Sequence, residues 1–216
     1  MKRLIIICEG ETEQEFCKDV LYSYLQKKDI YIETPLIKKS LGGIVPWEYL
    51  KKQINLHLNE DVYVSMLIDY YGIHDIHKFP KWEESKSIVN KIERISFLES
   101  AMSDEFEDRV KHRFIPYIQL HEFEGLLFNN IEAFTSNIPL KEIINLRELE
   151  STINSNANPE MINDGKTTAP SKRLARLISG YNKIVYGAIL AEAIGLERLR
   201  AKSVRFNGWI QKLESL

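Results

Sequence analysis

The feature that most constrains the fold is a run of five apolar residues, Leu4 to Cys8, which ends abruptly at Glu9. Such a run, rich in β-branched residues, is typical of a strand buried on both faces in a parallel sheet covered by helices. Residues 12–15 then fit a capping box, which predicts that a helix begins at Thr12. Glu9 and Glu13 therefore flank a strand-to-helix turn, where open α/β sheets bind ligands. The alternative is that Glu13 only complements the helix dipole.

Two further strands are predicted to end in acidic residues. The apolar residues 62–68 run directly into Asp69, and residues 114–120 run into His121-Glu122-Phe123-Glu124. Because the carboxyl ends of parallel strands open on one edge, we expect Asp69 to meet Glu9. If the chain stays extended, Glu122 and Glu124 project to the same side. The alternative is that both belong to the first turn of the next helix and favour its dipole.

Carboxylates grouped at one sheet edge without cysteine are the oxygen ligands that hard cations prefer. We therefore expect Mg²⁺ or Mn²⁺ as the cofactor. The principal metal site is assigned to Glu9, Glu13 and Asp69, and either Glu122 or Glu124 completes it or binds a second ion.

Positive charge is concentrated in the last quarter of the chain. Residues 163–216 carry a net charge of +6 and residues 1–162 a net charge of −8. Pro170 is suited to the first turn of a helix on which Lys172, Arg173 and Arg176 lie on one side. These three side chains are predicted to bind phosphate, and Lys172 is also assigned a catalytic role in stabilising transition-state charge. A solvated helix start would show the same residues.

The remaining elements complete an α/β pattern. Residues 30–38 alternate and predict an edge strand because Pro35 lies within them. A flexible connector is predicted at Gly42 and Gly43, and a helix over 47–58. We expect residues 1–135 to form the α/β core and residues 136–216 a helical extension packed on it, the whole being one compact domain.

Composition excludes several classes of protein. With 216 residues, 44% of them hydrophobic, the chain can bury a substantial core. Its two cysteines, Cys8 and Cys17, do not form a disulfide framework. No apolar run is long enough for a signal peptide or a membrane span, so we expect a cytoplasmic protein without membrane contact. The sequence leaves homo-oligomerisation open.

Glu9-Gly10-Glu11-Thr12-Glu13 resembles the first motif of the TOPRIM fold, and four further stretches together resemble one bacterial TOPRIM-like family, domain-of-unknown-function family 4276. These four stretches are Asp69-Tyr70-Tyr71-Gly72, residues 121–128, Ala169-Pro170-Ser171-Lys172-Arg173 and residues 194–200. The resemblance implies a TOPRIM-like, Rossmann-like fold: a mostly parallel sheet flanked by helices, with a helical C-terminal extension. It departs from the TOPRIM pattern at Tyr71, where a second aspartate is expected, so one ligand of a two-metal site is missing.

The same resemblance implies the function. The family is similar to the nuclease part of OLD-type systems, so we expect metal-dependent hydrolysis of DNA or RNA in phage defence, together with an ABC- or AAA-type ATPase partner. TOPRIM enzymes give the first glutamate, here Glu9, a general acid or base role, and Asp69 joins it as a catalytic residue. The main alternative is a catalytically degenerate subunit that regulates an ATPase. A primase or nucleotidyl transferase is weaker, because no nucleotide-binding motif accompanies the acids.

Overall fold

The structure is a computed structural model that describes residues 1–38, 43–162, 165 and 167–216. The connector predicted at Gly42 and Gly43 lies partly outside these residues, since Gly42 is not among them.

A parallel β-sheet forms the centre of the fold, as the sequence predicts. Its strands are β1 (Lys2–Cys8), β2 (Ile30–Glu33), β3 (Tyr63–Asp69), β4 (Phe114–Ile115) and β5 (Ile118–Gln119). The order is β2-β1-β3-β4, and β5 pairs with β3 further along the same edge. The chain therefore leaves β1 in one direction to form β2 and returns to the other side of β1 to form β3. This reversal makes the carboxyl ends of β1 and β3 the switch point where α/β sheets bind ligands.

The sheet is buried on both faces, which explains the continuous apolar run in β1. Leu4, Ile6 and Cys8 belong to one hydrophobic core, whereas Ile5 and Ile7 belong to the core on the opposite face. This alternation follows from the two-residue period of a strand.

Helices cover both faces of the sheet. The first helical segment after β1 consists of α1 (Glu11–Phe16), one π-helical stretch (Cys17–Leu21) and α2 (Tyr22–Gln26). The helices that follow are α3 (Trp47–Leu58), α4 (Trp82–Ser85), α5 (Lys91–Ser103), α6 (Asp108–Lys111), α7 (Ile131–Asn137), α8 (Leu146–Ser155), α9 (Pro170–Leu177), α10 (Lys183–Ile194), α11 (Leu196–Lys202) and α12 (Val204–Glu214). The bounds of α3 and the position of Pro170 at the start of α9 confirm two sequence predictions.

The predicted start of the first helix is wrong by one residue, and its cap is different. The helix begins at Glu11 with Gly10 as its N-cap, and Glu13 Oε2 accepts the Gly10 N–H at 3.0 Å. Thr12 therefore lies within the first turn, where it is buried. Glu13 reaches back to the cap as the third helical residue of a capping box does, but a glycine replaces the expected hydroxyl.

Prolines shorten two of the predicted strands. β2 ends at Glu33, before Pro35, although the chain continues beside β1 and Ile37 N–H donates to the Cys8 carbonyl at 3.0 Å. The strand predicted over 114–120 is divided into β4 and β5 around Pro116, because proline has no N–H to donate to the sheet.

The C-terminal helices pack directly on the sheet. On α12, the Trp209 ring stacks on Tyr117 with 4.6 Å between centroids, and its Nε1 donates to Ser65 Oγ at 2.9 Å. Glu160 accepts the first N–H groups of α12 from Arg205 at 2.9 Å and Phe206 at 3.1 Å. Through these contacts, the C-terminal helices contribute side chains to the hydrophobic core on one side of the sheet. Within the described ranges, no helix combines the length and the apolar run that crossing a bilayer requires.

The close approach of α10 to α1 depends on Gly187. A Cβ at this position would lie 2.6 Å from Thr12 Cγ2, which is closer than real contacts allow. We expect Gly187→Ala to force the two helices apart and to lower the free energy of unfolding by about 1–3 kcal/mol, as measured by urea denaturation.

Gly208→Ala is the matched control, since a Cβ at Gly208 in α12 meets nothing within 4 Å. Here alanine should leave stability unchanged or raise it by up to about 1 kcal/mol through its higher helix propensity. Equal effects of the two substitutions would contradict the close-contact explanation.

Candidate active site

Glu9 and Asp69 lie side by side at the carboxyl ends of adjacent parallel strands. In the parallel pair of β1 and β3, Cys8 lies opposite Leu67. Glu9, the residue that follows β1, therefore lies level with the last residues of β3. Glu9 Oε2 accepts the backbone N–H of Asp69 at 2.8 Å. Asp69 Oδ1 in turn accepts the N–H of Phe123 at 2.8 Å. The two acids, separated by sixty positions in sequence, thus form one structural unit.

Gly72 leaves room for the Glu9 carboxylate. A Cβ at Gly72 would lie 3.1 Å from Glu9 Oε1, and any larger side chain would displace that carboxylate. Tyr71 donates its backbone N–H to the His121 carbonyl at 2.9 Å. The turn after β3 is therefore fixed against the turn after β5.

The chain does not remain extended after β5, so Glu122 and Glu124 separate. His121 has a left-handed φ of 65°, and a 3₁₀ turn spans Phe123–Leu127. Glu122 accepts hydrogen bonds from Ser171 N at 2.8 Å and from Ser171 Oγ at 3.0 Å, at the start of α9. The condition for a common side, an extended chain, is therefore not met from Phe123 onward. Glu124 lies instead in the first turn of the 3₁₀ helix, which agrees with the alternative interpretation, and Glu122 immediately precedes that turn.

Glu13 and Glu124 share one cation, Lys183, the first residue of α10. Lys183 Nζ lies 3.0 Å from Glu124 Oε1 and 3.8 Å from Glu13 Oε1. Both glutamates are buried, with 2% and 0% of their surface exposed. Neither oxygen of Glu124 has a partner in hydrogen-bond geometry among the described residues, so its contact with Lys183 is an ion pair only.

Glu9, Glu13, Asp69 and Glu124 form an acidic cluster, and burial changes the protonation of Glu9, Asp69 and Glu124. Burial raises the pKa of Glu9 to about 7, an effect that the Asp69 N–H opposes and the Glu13 charge reinforces. Burial likewise raises the pKa of Glu124 to about 7, and Lys183 opposes it. Burial and the Glu9 charge raise the pKa of Asp69 well above its usual range. Near neutral pH, bound protons as well as the Lys183 ammonium therefore reduce the negative charge of the cluster.

The basic residues predicted to bind phosphate are only partly available. Arg176 forms a two-pronged ion pair with Glu148, and Arg173 Nη1 lies 3.6 Å from the same carboxylate. Lys172 is exposed and follows Ser171, which binds Glu122. The structure thus places Lys172 beside the turn that carries Glu122, while Arg173 and Arg176 belong to a salt-bridge group on α8 and α9.

A cavity of about 500 Å³ opens beside the acidic cluster. Both charged and aliphatic residues line it. Its described lining consists of Glu9, Gly10, Glu11, Thr12, Glu13, Leu36, Ile37, Gly43, Lys183 and Ile184. This volume is typical of a small-ligand site.

The chemistry of the cluster fits a hard divalent cation, but the side chains are not gathered around one point. All four acids provide oxygen ligands, and the Glu124 oxygens are buried without hydrogen-bond partners. In the parts of the chain that the structure describes, no three His, Cys, Asp or Glu side chains are grouped closely enough to hold one metal ion. The Lys183 ammonium contributes the positive charge between Glu13 and Glu124.

Lys183 is the site residue that sequence reasoning missed. One sequence signal could have revealed it, namely the asparagine that precedes it. Asn182 caps α10 by accepting the N–H groups of Ile184 and Val185, both at 3.0 Å. Lys183 is therefore a cation in the first turn of a helix, where the helix dipole disfavours positive charge. A residue that contradicts a local structural preference, as Lys183 does, often lies at a functional site.

The fold and the site define an α/β protein with a buried acidic cluster at the switch point of a parallel sheet. The family model described as domain of unknown function DUF4276 matches residues 8–214, and the chain belongs to this family. No curated protein and no solved structure matches the chain.

Proposed function

We propose that this protein is a TOPRIM-type, Mg²⁺- or Mn²⁺-dependent nuclease that hydrolyses phosphodiester bonds of DNA or RNA. The observation that carries the proposal is the hydrogen bond from Asp69 N–H to Glu9 Oε2, which joins the half-buried Glu9 to the buried Asp69 at the switch point of the sheet. The TOPRIM resemblance predicts these two acids at these two strand ends.

The acids have distinct roles in the proposed reaction. Glu9, Glu13, Asp69 and Glu124 would be the ligands of the cation, and their side chains would have to close around it, because no three of them are grouped around one point in the described part of the chain. A bound divalent ion supplies positive charge at the phosphate and lowers the pKa of a coordinated water. Glu9 is placed to transfer a proton, since burial raises its pKa to about 7.

Lys183 provides the positive charge that the sequence assigned to Lys172. Although burial alone would lower the pKa of Lys183, the charges of Glu124, Glu13 and Asp69 raise it, so the side chain remains an ammonium. With its side chain 44% exposed, it can reach both the cluster and an entering phosphate. The exposed Lys172 is placed to bind a flanking phosphate.

Lys183 also favours a second candidate function. An ammonium held between Glu13 and Glu124 neutralises part of the cluster without metal, as expected of a catalytically degenerate subunit. In that case the protein would regulate an ATPase partner rather than cleave nucleic acid. The ATPase partner and the role in phage defence derive from the TOPRIM resemblance.

Metal binding and plasmid cleavage distinguish the two candidates. We expect the wild-type protein to bind Mn²⁺ in calorimetry, to nick plasmid DNA or cleave RNA in Mn²⁺, and to lose both properties in EDTA. Asp69→Asn should retain the acceptor for the Phe123 N–H but lose cleavage by about a hundredfold or more. The matched control is Glu15→Gln, on the same first helix but paired with Lys18. Absence of Mn²⁺ binding in the wild type would favour the regulatory subunit.

A further inference from the structure

The ammonium of Lys183 lies between two carboxylates that belong to different parts of the fold. Its Nζ is 3.0 Å from Glu124 Oε1, in the 3₁₀ turn after β5, and 3.8 Å from Glu13 Oε1, on α1. A divalent ion that bridged these two oxygens would need the space that the ammonium fills. Two positive charges so close together also repel each other. The space between Glu13 and Glu124 can therefore hold either cation but not both.

The two carboxylates are fixed in place, which makes this space a defined position for a cation. Glu13 is 2% exposed and Glu124 is 0% exposed. A buried carboxylate that stays charged needs a positive partner. Glu13 is held further because its Oε2 accepts the Gly10 N–H at 3.0 Å, and its other oxygen is the one within 3.8 Å of Lys183. Lys183 therefore stabilises an arrangement that is also suited to a metal ion.

Lys183 differs from the two glutamates because its side chain can leave this position. The side chain is 44% exposed, and Lys183 lines the cavity of about 500 Å³ together with Glu9 and Glu13. A lysine has a flexible stem and a strongly hydrated head group, so its ammonium can exchange an ion pair for water. The backbone of Lys183 is the first residue of α10, which Asn182 caps. Only the side chain has to move.

We propose that Lys183 and a divalent cation occupy the space between Glu13 and Glu124 in turn. In the metal-free protein, the ammonium holds the two carboxylates in place. When metal binds, the side chain swings into the cavity, where it becomes available to a phosphate of the substrate. This proposal rests on the metal-dependent function proposed above and adds its regulation, since Lys183 opposes metal binding until it is displaced.

The first test compares the Mn²⁺ affinity of Lys183→Met with that of the wild type by isothermal titration calorimetry of the full chain. Methionine is unbranched and flexible but uncharged, so it does not compete with a cation. If Lys183 leaves its position in about one metal-free molecule in ten, the substitution should tighten Mn²⁺ binding about tenfold. Lys18→Met is the matched control, because Lys18 forms an ion pair with Glu15 at 2.7 Å on the surface. It should leave the affinity unchanged.

The second test uses the wild-type protein and so does not depend on how well Lys183→Met folds. Lysine amines are acetylated with the N-hydroxysuccinimide ester of acetic acid, and the rates at Lys183 and Lys18 are followed by peptide mass spectrometry. An ammonium paired with a buried carboxylate reacts slowly. The same population of one in ten predicts that saturating Mn²⁺ speeds acetylation of Lys183 about tenfold relative to EDTA. The rate at Lys18 should not change.

Each result has a definite meaning. A wild-type protein that binds Mn²⁺ without faster acetylation of Lys183 would overturn this proposal and leave the nuclease proposal intact. The same holds if a folded Lys183→Met binds Mn²⁺ no more tightly than the wild type. Absence of Mn²⁺ binding in both proteins would overturn the two proposals together. Binding by Lys183→Met alone would support exclusion of the metal by Lys183 and favour the regulatory subunit.

Discussion

Replacing Glu9 by glutamine is expected to abolish metal-dependent cleavage while making the metal-free protein more stable. Glutamine keeps the side-chain shape and an oxygen that can accept the Asp69 N–H, which Glu9 Oε2 accepts at 2.8 Å. It removes one charge from a cluster in which burial raises the pKa of Glu9 to about 7. Because each pKa unit corresponds to about 1.4 kcal/mol, we expect the free energy of unfolding at about pH 8 to rise by about 1–3 kcal/mol.

Glu15→Gln is again the control, because Glu15 lies on the same helix and forms an ion pair with Lys18 at 2.7 Å on the surface. This substitution should leave cleavage unchanged. It should change the free energy of unfolding by no more than about 0.5 kcal/mol. Cleavage is measured by plasmid nicking and stability by urea denaturation in EDTA. If Glu9→Gln cleaved at the wild-type rate, Glu9 would have no catalytic role.

The second large effect is a loss of stability as pH rises, which divalent metal reverses. Burial raises the pKa of both Glu9 and Glu124 from 4.5 to about 7. Between about pH 4.5 and about pH 7, the folded protein holds protons that the unfolded chain has released. The free energy of unfolding therefore falls as the pH rises through this range. The stabilising contribution is complete below about pH 4.5 and is lost as pH increases through about 7.

Mn²⁺ should act in the opposite direction. Because it binds deprotonated carboxylates, it should raise the melting temperature more at about pH 8 than at about pH 5.5. The measurement is thermal unfolding across this pH range with Mn²⁺ or with EDTA. In EDTA, Glu9→Gln should show a shallower decline than the wild type, since one titrating acid is gone. A metal-free protein that becomes more stable from about pH 5.5 to 8 would contradict the raised pKa values.

The elements of the fold that could be predicted from sequence are those fixed by local pattern. The apolar runs before Glu9 and Asp69 gave both central strands because residues buried on both faces of a sheet must be apolar. The cap at Gly10 could not be predicted, because a glycine cap leaves no side-chain signature. The division of the strand at Pro116 was open to prediction, since proline interrupts sheet hydrogen bonding.

The site was predictable only where strand geometry alone brings residues together. Glu9 and Asp69 end adjacent parallel strands, so sequence and topology suffice. Glu122 and Glu124 have different partners because a 3₁₀ helix begins at Phe123, between them, and replaces the two-residue alternation of a strand. Lys183 enters the site through the packing of α10 on α1, so its pairing with Glu13 and Glu124 depends on tertiary structure.

The dependence of the site on α10 has a consequence for biosynthesis. All four acids lie within the first 124 residues, but their shared cation is residue 183. A nascent chain that has exposed only the sheet therefore presents these carboxylates without Lys183, and the complete site forms only after residue 183 has left the ribosome. The order of translation thus delays the assembled site until α10 has been made.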